Sequence, residues 1–551
     1  MRFPFFSGFF ERRARRHLRS MMRGYRLMKK TNQPDIIVRV KHALKHFVLE
    51  QSVANLSVEF YGAAMPRAEI SVRQYLLNRL AGMKLSMELT RSRAKPISEV
   101  VFPMPPEWRQ ILVENDFKVP QFKNKLVWQT YVIANLIYGI VMFTKILVSS
   151  AVSLINSAKL KPVRFVFFDA LIPSALPNKA SDHSSHDVMS WYLKWTRETK
   201  NFDAFCHGLQ GISPTMVGDT KIFAVKGPVA PLDRLDSLIK FFAWGAVAVV
   251  KAFGDAIRGQ WVHAIMLKEA VKAAQARFQQ PERLARAYLF HNSSCIYRPL
   301  WTYEAEKHGS AISLYFYSSN CEPFKRPNGY AKFSNDYYEV MSWPHYMVWD
   351  NYQAEFIRRS VCERAKVELV GPIWFTASLE VLPPLPLATI AVFDVQPVRA
   401  SFYQRFGIDF DYYTPSNATS FLADCHAASK ACGATMALKR KRKINALVHP
   451  VYESFVDRLS KKCGFVAINS DIEATRLIEK SIAVVSMPFT STALLARDLG
   501  KPSAYYDPHG MIQRDDRAAH GISILIGPEE LQAWLANVTI SQGSVEGSGL
   551  N

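Results

Sequence analysis

Four hydroxyl side chains fall within seven residues at Ser486-Met-Pro-Phe-Thr-Ser-Thr492, between the apolar run 482–485 and the helix-forming stretch 493–499, which Gly500 stops. An apolar, β-branched run of this length reads as a buried parallel strand, and a glycine just past a helix ends it. The first turn of a helix leaves N–H groups unpaired and carries partial positive charge, so hydroxyls beside it suit an anion, phosphate foremost. The same hydroxyls would also serve as plain helix caps. The flanks add charge. Upstream, Lys439-Arg440-Lys441-Arg442-Lys443 leads into the strand-like 446–448 and then His449-Pro450; downstream, 501–508 reads as the next strand with Tyr506-Asp507 at its exit. Ligands of parallel α/β sheets sit beyond the carboxyl ends of strands. Lys439, Arg442, His449, Pro450, Ser486, Thr490, Ser491, Thr492, Tyr506 and Asp507 are therefore the candidate set for a phosphorylated ligand.

The order of these pieces resembles that of bacterial polysaccharide-biosynthesis proteins named for a Pro-Phe-Thr-Ser motif: a basic strip, His-Pro, Ser-Met-Pro-Phe-Thr-Ser-Thr before a helix, then Gly-Lys-Pro-Ser-x-Tyr-Tyr-Asp-Pro. The match runs from about residue 394 to 530, and 163–375 is similar in layout with weaker signatures. The resemblance implies an α/β, GT-B-like fold, with two Rossmann-like domains facing a cleft, and a metal-independent glycosyltransferase of surface polysaccharide such as capsule or O-antigen. The His-Pro and Ser/Thr elements are also similar to those of bacterial sialyltransferases. This implies a CMP-activated acidic sugar as donor, a glycan or lipid-linked acceptor and no cofactor; the expected place is the cytoplasmic side of the bacterial inner membrane, peripheral or monotopic. A UDP-sugar donor and a non-catalytic nucleotide-fold binding protein are the alternatives. One departure is the absence of a proline within the basic strip.

Glycosyl transfer needs charge stabilisation on the leaving phosphate, a base for the acceptor hydroxyl, and exclusion of water. Lys439, Arg442, His449 and the hydroxyls answer the first need. The base is expected from the amino-terminal half. Asp169, after the first strand, and Asp187, in the following polar loop, are the first choices; Asp182, Glu304, His183 and His186 stand behind them, and each acid could equally be a cap or surface charge. Asp409-Phe410-Asp411 has the form of a metal-binding triplet, but it lies in an aromatic stretch with no acidic support, so no metal is expected.

The elements that must hold these groups fill a chain of 551 residues, too long for one core. Its formal net charge is +22. That excess calls for an anionic partner. Nucleic acid is disfavoured, because no fold for base or groove reading accompanies the charge. Arginines and lysines between residues 12 and 30 alternate with Phe, Leu and Met, as in an interfacial helix on an anionic leaflet or a solvated arm. The uncharged run 126–144 fits a membrane-surface helix, a buried helix or a single span. The second apolar run, 241–250, is too short to span. Seven scattered cysteines without a C-x-x-C pair indicate neither a disulfide framework nor zinc. The domains are expected at 1–120 (basic region), 121–160 (apolar membrane-associating segment), 161–380 (acceptor domain), 387–540 (nucleotide-sugar domain) and 541–551 (disordered tail), with the Pro-rich 382–387 as hinge.

Overall fold

The computed structural model describes residues 36–50, 67–93, 99–156, 164–177, 187–291, 297–317, 322, 324–330, 338, 340–373, 380–399, 412–440 and 447–547. Two sheets carry the chain. The first holds β1 (Phe165–Phe168), β2 (Ala204–His207), β3 (Thr215–Val217), β4 (Thr220–Ala224), β5 (Ala287–Phe290), β6 (Ala311–Tyr315), β7 (Tyr346–Val348) and β8 (Val367–Leu369) in the order β3-β4-β2-β1-β5-β6-β7-β8. All neighbours pair in parallel except β3 with β4. The second holds β9 (Thr389–Phe393), β10 (Thr435–Lys439), β11 (Phe465–Ile468), β12 (Ala483–Ser486), β13 (Ser503–Asp507) and β14 (Ile524–Ile526) in the order β11-β10-β9-β12-β13-β14. This is the 3-2-1-4-5-6 order of a dinucleotide-binding fold, with its switch point between β9 and β12. Both sheets are doubly wound, so the expected fold of two Rossmann-like domains is present.

The strands form where the sequence is β-branched or aromatic. β9 and β12 are buried at every position, as central parallel strands covered on both faces must be. Helices supply the cover. The helix Pro415–Ala431 starts on Thr414, whose side chain accepts from Asn417 N, and the helix Pro450–Leu459 starts with proline at its first position.

The domain boundaries differ from expectation in two places. Helix Gln121–Asn156 is no separate segment: its inner face, with Trp128, Val132, Leu136, Phe143 and Ile146, shares one core with the first sheet and with helices as early as Ile36–Glu50. The expected tail from 541 is instead helical to Gly547. The basic stretch 12–30 lies outside the described residues.

A second core passes through both domains, joining Val166 and Phe168 of β1 to Ile390 and Val392 of β9 and to Val485 of β12. Between them, Phe324 of the first domain enters a ring of Tyr412, Tyr413 and Phe489 at centroid distances of 5.2, 5.7 and 5.2 Å. Asp350, at the exit of β7, meets His520 at 2.8 Å and Arg497 at 3.2 Å. The loops beyond the carboxyl ends of β6 and β7 therefore pack against those beyond β9, β12 and β13.

Candidate active site

In the second domain the motif forms a strand–turn–helix unit. β12 ends at Ser486, Pro488 and Phe489 turn the chain, and the helix Ser491–Asp498 begins behind Thr490. Thr490 occupies the cap position, yet no side chain caps this helix. The hydroxyls bond to one another instead: Thr492 Oγ1 lies 3.0 Å from Ser486 Oγ and 3.1 Å from Thr490 Oγ1. The first turn therefore keeps its positive end uncapped by side chains, which is the condition for holding an anion. Phe489 serves the scaffold, packed against Tyr505 and Phe324; Tyr413 donates to Pro488 O at 2.6 Å and fixes the turn.

His449 caps a neighbouring helix start. Its Nδ1 accepts from Val451 N at 3.3 Å, so in the neutral ring the proton is on Nε2, which remains a donor. The backbone holds it there: His449 N donates to Pro397 O, and Val398 bridges Val448. This ties the His449 loop to the exit of β9, beside β12. Ser486, Thr490, Ser491, Thr492, His449 and Pro450 thus gather along the switch-point edge.

Other members of the expected set lie elsewhere. Lys439 is buried, and its Nζ donates to Ser470 O at 3.2 Å. Burial pushes its pKa down, while Asp471 and Glu473 pull the other way. Its charge is absorbed on the β11 side rather than offered to the cleft. Tyr506 is fully buried and donates to Asp424 at 2.7 Å, beneath the helix Pro415–Ala431. Asp507 accepts from Ile512 N at 2.7 Å and from Tyr412 at 3.3 Å, which holds the turn after β13. These three are corrections: the side chains that look like ligands in sequence are structural. Arg442, Asp182, His183, His186 and the Asp409–Asp411 triplet lie outside the described residues. Among the described residues no cluster of His, Cys, Asp and Glu could hold a metal ion.

Two groups that sequence reasoning missed sit at the same edge. Asp394 follows β9 directly, is fully buried, and accepts from the Tyr452 hydroxyl. Burial pushes its carboxyl up to about 6, against the Tyr452 hydrogen bond and the nearby positive charge of Arg440. Among the described strip residues, Arg440 rather than Lys439 brings its charge to the switch point. Only the strand-end position of Asp394 could have flagged it in sequence.

In the first domain three titratable groups close adjacent strands. His207 ends β2, opposite Phe168 of β1; Asp169 follows Phe168; His291 follows β5. Burial raises the Asp169 pKa, against the Ala170 backbone N–H and Lys272. Burial lowers the His291 pKa to about 4, although its ring is hydrogen-bonded to the backbone of Asp169. His207 is lowered by burial as well, and its Nδ1 accepts from Leu209 N at 3.2 Å. Ala170, next to Asp169, has φ +54°, a conformation that costs an L residue about 1 kcal/mol or more and persists where the surroundings impose it.

Asp187 is a correction. It caps the helix Val188–Trp195, with Oδ1 accepting from Met189 N and Ser190 N at 2.9 and 2.8 Å and Oδ2 from the Ser190 hydroxyl at 2.6 Å. Both oxygens are committed. Glu304 is likewise buried between Arg277 and Lys307. Of the expected acids among the described residues, Asp169 alone remains at the strand-end edge.

No curated protein matches the chain. Solved structures of similar layout include a UDP-glucose:anthocyanidin 3-O-glucosyltransferase in complex with UDP (8% identity, 71% of this chain and 96% of that one, TM-score 0.34). Two others are a variant of the wall teichoic acid polymerase TagF (12%, 76% and 90%, 0.35) and Os79 from O. sativa in complex with UDP (10%, 69% and 92%, 0.34). The model of the polysaccharide biosynthesis PFTS motif proteins matches residues 237–535, a span that includes the uncapped helix, His449 and Asp394; the chain belongs to that family.

Proposed function

We propose that the protein is a glycosyltransferase of bacterial surface-polysaccharide assembly, using a nucleotide sugar whose donor phosphate docks at the switch point of the second domain. The observation that carries this reading is the helix start at Ser491, left uncapped while its hydroxyls hold one another, with the His449 Nε2 donor on the same edge. The helix N-terminus and His449 bind the leaving phosphate, and Arg440 adds positive charge. Asp169, across the cleft, takes the proton of the acceptor hydroxyl. The acceptor oxygen then bonds to the anomeric carbon as the bond from that carbon to phosphate oxygen breaks, and the electron pair leaves with the phosphate. The raised pKa of Asp169 suits a base, since it strengthens proton uptake. A CMP-activated acidic sugar is the favoured donor and a UDP-sugar the alternative. The charge on the leaving phosphate is met by protein donors, the role a divalent cation plays elsewhere.

Calorimetry with CMP, UDP and GDP tests the site. His449→Ala and Ser491→Ala should each weaken the preferred nucleotide by about 1–3 kcal/mol, as for a charge-assisted hydrogen bond removed. Asp169→Asn should bind it normally yet lose turnover at least about 100-fold. Transfer should persist in excess EDTA. Unchanged affinity in both donor-site variants would remove the phosphate from this edge.

A further inference from the structure

Two long apolar helices lie side by side on the first domain. Helix Gln121–Asn156 and helix Leu235–Ile257 are each long and apolar enough to cross a membrane by length and composition. They meet closely: Phe143 packs against Phe241 at 5.3 Å, and a Cβ on Gly245 would stand 2.0 Å from the Phe143 ring. Their outer faces are apolar. On the second helix Leu235, Ile239, Phe242, Val250, Phe253 and Ile257 are all more than half exposed, at the i, i+3, i+4 spacing of a single stripe. Ile133, Ile137, Val141, Val148, Val152 and Ile155 repeat the stripe on the first. The trough between them is lined by Leu147, Val148, Ala151, Leu238, Ile239 and Phe242. A continuous exposed apolar surface on this scale marks an interaction site.

The charges say what covers it. The exposed charges on the pair are Lys123, Lys125, Lys145, Lys240 and Lys251 against Asp236 alone. Apolar stripes edged by lysines fit the acyl and headgroup layers of an anionic bilayer, with the lysine stems reaching toward the phosphates.

The inner faces say how it lies. Asn124, near the start of the longer helix, bonds to Val100 O and to Phe102 N; Ser150, near its end, accepts from Leu232 N at 3.0 Å. Gly139, between them, lies against Leu267 of the buried helix Trp261–Phe278. The shorter helix buries Asp255, which is paired with His263 at 2.6 Å. Both helices are therefore attached to the globular domain along their length. A helix crossing the bilayer would have to take that domain with it.

We propose that this pair is a monotopic membrane anchor, lying in the plane of an anionic leaflet with the stripes in the acyl layer and the first domain above. The surface is independent of the donor site.

The test uses the full-length protein and vesicles of phosphatidylcholine with or without 30 mol% phosphatidylglycerol, about the anionic content at which basic surfaces respond. Flotation should recover the protein with the anionic vesicles. The double variant Phe242→Glu/Val250→Glu, exposed in both positions, should keep the melting temperature and lose vesicle affinity at least about tenfold. Retained affinity would overturn the anchor. A dimer in vesicle-free solution, dispersed by the same variant, would also overturn it by making a second copy the occupant. For geometry, Cys295, Cys321, Cys362, Cys432 and Cys463, every cysteine but the buried Cys206 and Cys425, are changed to Ser, and a fluorophore is attached at Leu235→Cys, Ala246→Cys or Ile257→Cys. Depth-dependent quenching by brominated lipids should place all three at the same shallow level. A deepest reading at the middle position would indicate a span and overturn the in-plane arrangement.

Discussion

Two carboxylates close equivalent strands of the two domains, the half-buried Asp169 after β1 and the buried Asp394 after β9, and desolvation raises both. They differ in their partners. Asp169 lies beside His291, whereas Asp394 takes the Tyr452 hydroxyl from the helix that His449 caps. Its folded pKa of about 6 stands above the ordinary 3.8. A carboxyl raised on folding favours the folded state fully below its unfolded pKa, and that contribution is lost as pH rises through the folded value. Between pH 4 and pH 7 the native protein thus loses about 2 kcal/mol at this residue, at about 1.4 kcal/mol per pKa unit. Asparagine can still accept from Tyr452 but never ionises. Asp394→Asn should match the parent near pH 4 and become progressively more stable than it toward pH 8, as read by urea titration. A stability difference that stays flat with pH would show that Asp394 is not held against ionisation.

At the scale of elements, the strand–turn–helix from β12 to Asp498 joins a mechanical and a chemical role. Thr492 bonds to both Ser486 and Thr490, and Ser486 is fully buried. Valine at position 492 fills the same volume but leaves the Ser486 hydroxyl without that partner, at a cost of about 1–3 kcal/mol. Ser491 is less buried and makes no such bond. Thr492→Val should therefore lower the unfolding midpoint, whereas Ser491→Ala should leave it unchanged and weaken nucleotide binding alone. Equal stability in the two variants would deny the hydroxyl cluster its structural part. The element itself was legible in sequence, because a β-branched run, a proline and a glycine stop are local signals. So were the two sheets. Side-chain roles at the strand ends were not. Tyr506 turns to Asp424, Asp394 to Tyr452 and Lys439 to Ser470; these partners are 31 to 82 residues away in sequence, so only the folded arrangement decides whether a polar group faces the ligand or the scaffold. Asp187 is an instructive contrast, since its cap role depends on Met189 and Ser190 and is local.

For the whole molecule, transfer across a cleft requires the two domains to hold a defined distance. Two kinds of contact set it. One is apolar: Phe324 within the ring of Tyr412, Tyr413 and the motif's own Phe489, which ties the motif turn to the first domain. The other is ionic: Asp350 with His520 and Arg497, and Glu322, itself held by Arg359 of its own domain, with Arg517. Burial alone would raise the Asp350 pKa, but hydrogen bonds from His520 and Arg497 outweigh it and hold the carboxyl below its ordinary 3.8. A depressed carboxyl gives stability that is present above the unfolded pKa and lost as pH falls through the folded one. The ionic link between the domains should therefore weaken as pH falls below the ordinary carboxylate range, while the cores that belong to one sheet each persist. Scanning calorimetry should show one cooperative transition at pH 7 and two at pH 3. Asp350→Asn separates this from general acid unfolding, because asparagine still caps the helix Asn351–Ser360 but cannot pair as an anion with His520 and Arg497. That variant should show two transitions already at pH 7, with turnover reduced and nucleotide affinity retained, since the donor edge belongs wholly to the second domain. A single transition in Asp350→Asn at pH 7 would mean that the remaining contacts, the insertion of Phe324 together with Glu322 on Arg517 and Lys325 on Asp516, couple the domains without Asp350.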